Sequence, residues 1–115
     1  MLSLFRRSRY KEIPARELAG LLDQKRAVLV DVREADEFAS GHIAGAISMP
    51  LSRFQPSRLP SRLPADGRQV ILACAAGRRS MMALEKAAAA RDDIDTHLAG
   101  GMTAWRAAGL PVVTE

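Results

Sequence analysis

Apolar and polar positions fall into blocks whose period changes along the chain. Leu18, Leu21 and Leu22 recur at helical spacing within Glu12–Asp23, Pro14 suits a first turn, and Glu17 complements the positive end of a helix dipole, so this segment predicts a short helix. Ala27-Val28-Leu29-Val30-Asp31-Val32 then runs as a continuous, β-branched apolar stretch, the habit of a strand covered on both faces in a parallel sheet. Glu34–Ser40 predicts a second short helix stopped by Gly41, and Ala46-Ile47-Ser48-Met49 a short strand closed by Pro50. Gln69-Val70-Ile71-Leu72-Ala73 repeats the buried-strand pattern and ends at Cys74. Ser80–Arg91 predicts a helix with Met81, Leu84 and Ala88 on one stripe. Its alanines, Ala87–Ala90, permit close packing on a sheet, and Arg91 favours the negative end of the dipole. Thr96-His97-Leu98 predicts a last strand, Gly100-Gly101 a turn, and Met102–Ala108 a short helix closed by Gly109 and Pro111. Strands alternate with helices throughout, which defines an α/β fold with a mostly parallel sheet in one domain spanning 1–115, without a linker.

One stretch breaks the alternation. Residues 52–67 are rich in Ser, Arg and Pro and contain Ser57-Arg58-Leu59-Pro60 followed by Ser61-Arg62-Leu63-Pro64. Two short copies do not make a repeat architecture. A helical turn or two broken by prolines, with Leu59 and Leu63 tucked inward, is expected ahead of a docking motif.

Composition narrows the functional classes. The 115 residues are 48% hydrophobic and 26% charged, the balance of an ordinary globular chain of one domain. No apolar run reaches the length that spans a bilayer, and Met1–Arg9 places its apolar residues ahead of Arg6, Arg7 and Arg9, the reverse of a signal peptide. No membrane association and a cytoplasmic location are expected. The net charge of +4 raises nucleic acid as a partner, but the arginines are scattered and no aromatic residue alternates with them as a stacking surface would require, so no nucleic-acid partner is expected. With the single cysteine, Cys74, no internal disulfide is possible, and with only His42 and His97 beside it at suitable ligand spacings no zinc site can be built, so no metal or cofactor is expected.

A lone cysteine is either an inert core residue or a nucleophile, and its neighbours decide. Cys74 ends a buried strand, where open α/β sheets bind ligands, and Cys74-Ala75-Ala76-Gly77-Arg78-Arg79-Ser80 leads straight into a helix. First-turn amides and the helix dipole favour an anion there. The small residues Ala75, Ala76 and Gly77 let successive N–H groups face inward as a nest, and Arg78 and Arg79 add positive charge. Such surroundings lower a thiol pKa and favour the reactive thiolate, so Cys74 is the candidate nucleophile and Ala75 through Ser80 its anion cradle. Cysteine phosphatases build a related cradle with one residue more between Cys and Arg. Here four residues separate Cys74 from Arg79, a tighter ring that suits one outer sulfur better than a phosphate approached in line.

Three stretches in order resemble the rhodanese family: Asp31-Val32-Arg33 with Glu37-Phe38 and Gly41-His42-Ile43-Ala44-Gly45-Ala46-Ile47; the Cys-x-x-Gly-x-Arg-Ser pattern of Cys74–Ser80; and Leu98-Ala99-Gly100-Gly101 with Trp105 and Gly109-Leu110-Pro111-Val112. The resemblance covers about 12–113 and leaves 1–11 as an N-terminal extension. It implies a five-stranded sheet flanked by helices on both faces. It also implies a sulfurtransferase in which Cys74 takes a sulfane sulfur from thiosulfate or another persulfide donor and passes it to cyanide or a thiol. A sulfur-relay module serving a persulfide-carrying protein is the second possibility, and a phosphatase or arsenate-reducing relative the third. The sequence departs from the family pattern at Ala44, Ser48 and Ala73, positions of turn and pocket wall. Arg78 sits at a variable loop position and leaves the donor open. Asp31 and Arg33, on the same sheet edge, are expected to support the site as a hydrogen-bonded pair, because a buried carboxylate needs a partner. His42 is expected to be structural, since a thiolate needs no base, and Trp105 to anchor the last helix.

Overall fold

The computed structural model describes residues 10–59, 67–91 and 93–115. Its strands are β1 (Lys11–Ile13), β2 (Ala27–Asp31), β3 (Ile47–Ser48), β4 (Gln69–Ala73) and β5 (Thr96–Leu98). Its α-helices are α1 (Ala15–Asp23), α2 (Ala35–Ser40), α3 (Arg78–Ala88) and α4 (Gly101–Ala107). The strands form one sheet in the order β1-β5-β4-β2-β3, and every pair is parallel.

The period of two along the central strands divides the core into two layers. Leu29, Ile71, Ala73 and Leu98 face α1 and α4, where Leu18, Met102 and Trp105 pack. Val30, Val70, Leu72 and Cys74 face the other way, against Ala83, Leu84 and Ala87 of α3 and against Phe54 and Leu59. Cys74 therefore continues the alternation Val70, Leu72, Cys74, and its side chain lies beneath α3.

Two expectations are corrected. The segment from Glu12 is a strand before it is a helix: Lys11–Ile13 pairs with Thr96–Leu98, and α1 starts after Pro14, whose extended backbone (ψ 152°) separates the two. The helix after Cys74 begins at Arg78, two residues earlier than expected, and its buried stripe is Ser80, Ala83, Leu84 and Ala87 in place of Met81, Leu84 and Ala88. In 52–67, Leu51–Arg53 and Pro56–Arg58 form short 3-10 turns and Leu59 is buried. Leu63 and the second Ser-Arg-Leu-Pro copy lie outside the described residues. Among the described residues no helix is long and apolar enough to cross a membrane.

Candidate active site

The Cys74 loop is shaped from both ends. Gly77 takes φ +115°, a conformation open to glycine, and turns the chain into α3. From the other side, the first turn of α4 holds the loop carbonyls: Met102 N donates to Cys74 O at 2.8 Å and Thr103 N to Ala75 O at 2.9 Å. With those carbonyls turned toward α4, the amides that follow are free to face the sulfur. This approach leaves no room for a side chain at Gly101, where a Cβ would lie 2.4 Å from Cys74 O and 2.6 Å from Ala75 O.

The sulfur itself is buried, with Cys74 only 1% exposed. Gly77 N–H donates to Sγ at 3.0 Å, and Ser80 Oγ lies 3.4 Å from it. Burial pushes the thiol pKa up, but the Ser80 hydroxyl and the amides of Ser80, Gly77 and Ala76 together outweigh it and hold the thiol below its ordinary value. The site thus favours a sulfur anion.

The two arginines part company. Arg79 makes a two-pronged ion pair with Glu37 of α2, Nη1 to Oε1 at 2.6 Å and Nη2 to Oε2 at 2.9 Å, so its charge is balanced while it braces the loop. Its hydrogen bonds hold the Glu37 carboxyl at about 2, against the smaller opposing effect of burial. Glu37 also accepts from Glu34 N at 3.0 Å, and Glu34 accepts from Ser52 Oγ at 2.7 Å. Arg78, the first residue of α3, is exposed.

Asp31 and Arg33 form a buried pair at the end of β2, and the Arg33 charge adds to the effects that lower the Glu37 carboxyl. Arg33 Nη2 donates to Asp31 Oδ2 at 2.8 Å and to Gly41 O at 2.8 Å, which ties the end of β2 to the turn after α2. His42 Nδ1 lies 2.7 Å from Phe38 O, with its ring stacked on Phe38 at 3.7 Å. Trp105 is buried, and its Nε1 donates to Pro111 O at 2.8 Å.

Two residues at the site carry roles that sequence reasoning misses. Glu37 stands out in the sequence only for its place in a pattern, and its partnership with Arg79 spans 42 positions. His97 sits behind Ser80, with Nδ1 2.7 Å from Ser80 Oγ. A histidine at the centre of a short buried strand is the available signal.

This fold and loop define a class, and the comparisons agree with it. The chain belongs to the rhodanese-like family: the rhodanese-like domain model matches residues 14–108. It is 44% identical over 101 residues to an uncharacterised protein of Synechocystis, covering 88% of this chain and 55% of that one. It is 36% identical over 93 residues to a protein of Allochromatium vinosum named sulfurtransferase, covering 81% of this chain and 84% of the relative. The crystal structure of a rhodanese-related protein from Thermoplasma volcanium superposes with a TM-score of 0.76 at 31% identity, covering 92% of this chain and all of that one. The chain therefore spans about half the Synechocystis relative's length.

Proposed function

We propose that the protein is a sulfurtransferase that carries a sulfane sulfur as a persulfide on Cys74. The observation that carries this is the buried Cys74 sulfur, met at 3.0 Å by an inward amide and held below its ordinary pKa. In the first half-reaction the thiolate attacks the outer sulfur of thiosulfate. The S–S bond of the donor breaks, sulfite leaves with the electron pair, and Cys74 keeps one sulfur as an anionic persulfide. The amides of Ala75 through Ser80 hold that charge, with Arg79 closing the loop. In the second, cyanide or a thiolate attacks the outer sulfur, the Cys74 S–S bond breaks, and the thiolate returns. Splitting the transfer in two lowers each barrier.

A relay role with a persulfide-carrying protein is favoured by one feature. Glu37 balances Arg79, so the exposed Arg78 is left as the loop's cation for capturing a small anion. That arrangement fits a neutral or protein-borne donor better than a free dianion. Intact mass spectrometry tests both: thiosulfate should add the mass of one sulfur to the protein, and cyanide should remove it. Slow loading by thiosulfate with rapid loading by a protein persulfide would mark the relay. No mass gain from either donor would overturn the proposal.

A further inference from the structure

Sulfur transfer through Cys74, the loop amides and Arg79 gives no part to His97, a buried titratable side chain one hydroxyl away from the sulfur. His97 lies in the middle of β5 and is 1% exposed. Its Nδ1 is 2.7 Å from Ser80 Oγ, and Ser80 Oγ is 3.4 Å from Cys74 Sγ and 3.2 Å from Gly77 O. Ser80 is fully buried, so the three side chains form a dry line from β5 through the first turn of α3 to the sulfur.

Counting hydrogens gives the line its direction. A serine hydroxyl carries one hydrogen, and a neutral imidazole carries one on either nitrogen. A thiolate only accepts. If Ser80 gives its hydrogen to the sulfur, its oxygen can stay 2.7 Å from His97 Nδ1 only when Nδ1 bears the hydrogen, since two facing lone pairs repel at that distance. The far end of the ring agrees. Nε2 is buried and has no hydrogen-bond partner among the described residues, which suits a bare nitrogen, because orphaned buried N–H donors are rarer than under-used acceptors. Glu12 Oε2 approaches Nε2 only to 3.5 Å, from a side chain 62% exposed that water solvates. Burial lowers the imidazole pKa and outweighs the opposite pull of Glu12, so the ring is neutral with a single hydrogen to place.

We propose that His97 is a positioning residue for Cys74: with its hydrogen on Nδ1 it donates to Ser80 Oγ, and so directs the one hydroxyl hydrogen of Ser80 onto the cysteine sulfur. The rival acceptor, Gly77 O, is neutral, whereas a hydrogen bond to an anion is about twice as strong. The purpose rests on the persulfide chemistry proposed above. When the acceptor takes the outer sulfur, Cys74 is the leaving group, and a thiol of lower pKa leaves faster. Other charges near the line are Glu12 of β1 and Arg79 of α3, the latter balanced by Glu37 of α2 and by Glu34, which caps that helix. The Asp31–Arg33 pair at the end of β2 is mutually neutralised.

Cys74 is the only cysteine, so iodoacetamide alkylation against pH reads its thiolate fraction without any sulfur donor. His97→Leu should slow alkylation about two- to threefold at a pH below the thiol pKa, because Ser80 loses the donor that fixes its oxygen and polarises its O–H toward the sulfur. His97→Asn, whose amide N–H can stand in for Nδ1–H, should restore most of the rate. In a Ser80→Ala background the His97→Leu change should have no further effect, because the hydroxyl through which it acts is gone. Unaltered alkylation in a folded His97→Leu protein, or an equal His97→Leu effect with and without Ser80, would overturn the proposal. Should His97→Leu not fold, long-range nitrogen–proton NMR of the wild-type imidazole decides: Nδ1–H above the thiol pKa supports it and Nε2–H refutes it. Failure of thiosulfate or protein-persulfide loading with an intact alkylation profile would instead remove the sulfur-transfer function and leave this linkage standing.

Discussion

At Cys74 two opposing effects meet on one atom. Burial alone makes an inert, hard-to-ionise thiol, while the amides and the Ser80 hydroxyl favour the anion and win. Cys74→Ser keeps the volume but cannot hold a persulfide, so it should abolish sulfur transfer with little change in the unfolding midpoint. Thiocyanate production by a folded Cys74→Ser variant would remove the assignment. Arg79 acts on the same atom through geometry as well as charge, because its guanidinium is committed to Glu37. Arg79→Ala should cut transfer at least about tenfold, about 1.4 kcal/mol of lost electrostatic support or more, with any donor. Arg78→Ala should weaken only the capture of anionic donors. Steady-state rates with thiosulfate and with an uncharged donor check the division, which fails if both variants respond alike to both.

Between elements, the contact that shapes the loop is α4 against Cys74 and Ala75. Gly101→Ala places a methyl against two carbonyl groups at a φ of +56°, where the backbone strain alone costs about 1–3 kcal/mol. The variant should lose stability in urea titrations by more than that, and a folded remnant should alkylate Cys74 slowly because the amides no longer converge. Loop length is a second control. One glycine inserted between Ala76 and Gly77 gives the phosphatase spacing at low conformational cost and should end sulfur transfer, whereas the wild type should leave aryl phosphates intact. Thiosulfate turnover unchanged by the insertion would show that ring size does not select the chemistry. These elements differ in how far they can be read from sequence. β2 and β4 are legible because both faces are buried, which writes an unbroken apolar run. β1 is not, because three residues, Lys11-Glu12-Ile13, become a strand only by pairing with β5. The stripe of α3 reads one phase out when its start is placed at Ser80. With the start at Arg78, Ser80 turns inward to the sulfur, a buried polar position that periodicity takes for surface. The cysteine and its loop are legible as local sequence, while Glu37 and His97 come from elsewhere in the chain and meet the loop only in the fold.

Across the whole molecule, the Glu37–Arg79 pair links α2 to α3, the helix that packs on β4. Its pH dependence follows from the Glu37 carboxyl, which is held at about 2 in the fold against an ordinary 4.5. A depressed folded pKa means that the unfolded chain binds the proton first. The pair's stabilisation is therefore fully present above about pH 4.5 and is lost as pH falls toward 2. The magnitude is modest, because the Glu37 and Arg79 side chains remain 34% and 31% exposed and water screens the pair, which leaves about 1 kcal/mol. Comparing Glu37→Gln with wild type isolates this contribution from every other carboxylate, since those titrate alike in both proteins. Urea titrations should show the wild type more stable by about 1 kcal/mol at pH 7, with the gap closing as pH falls through the Glu37 window. Added salt should narrow the gap at pH 7 only slightly, because a two-pronged contact at 2.6 and 2.9 Å is shorter than any screening length. A gap that persists unchanged at pH 2 would mean that the glutamine of Glu37→Gln is disfavoured by packing and that the ion pair contributes nothing to holding the two helices together.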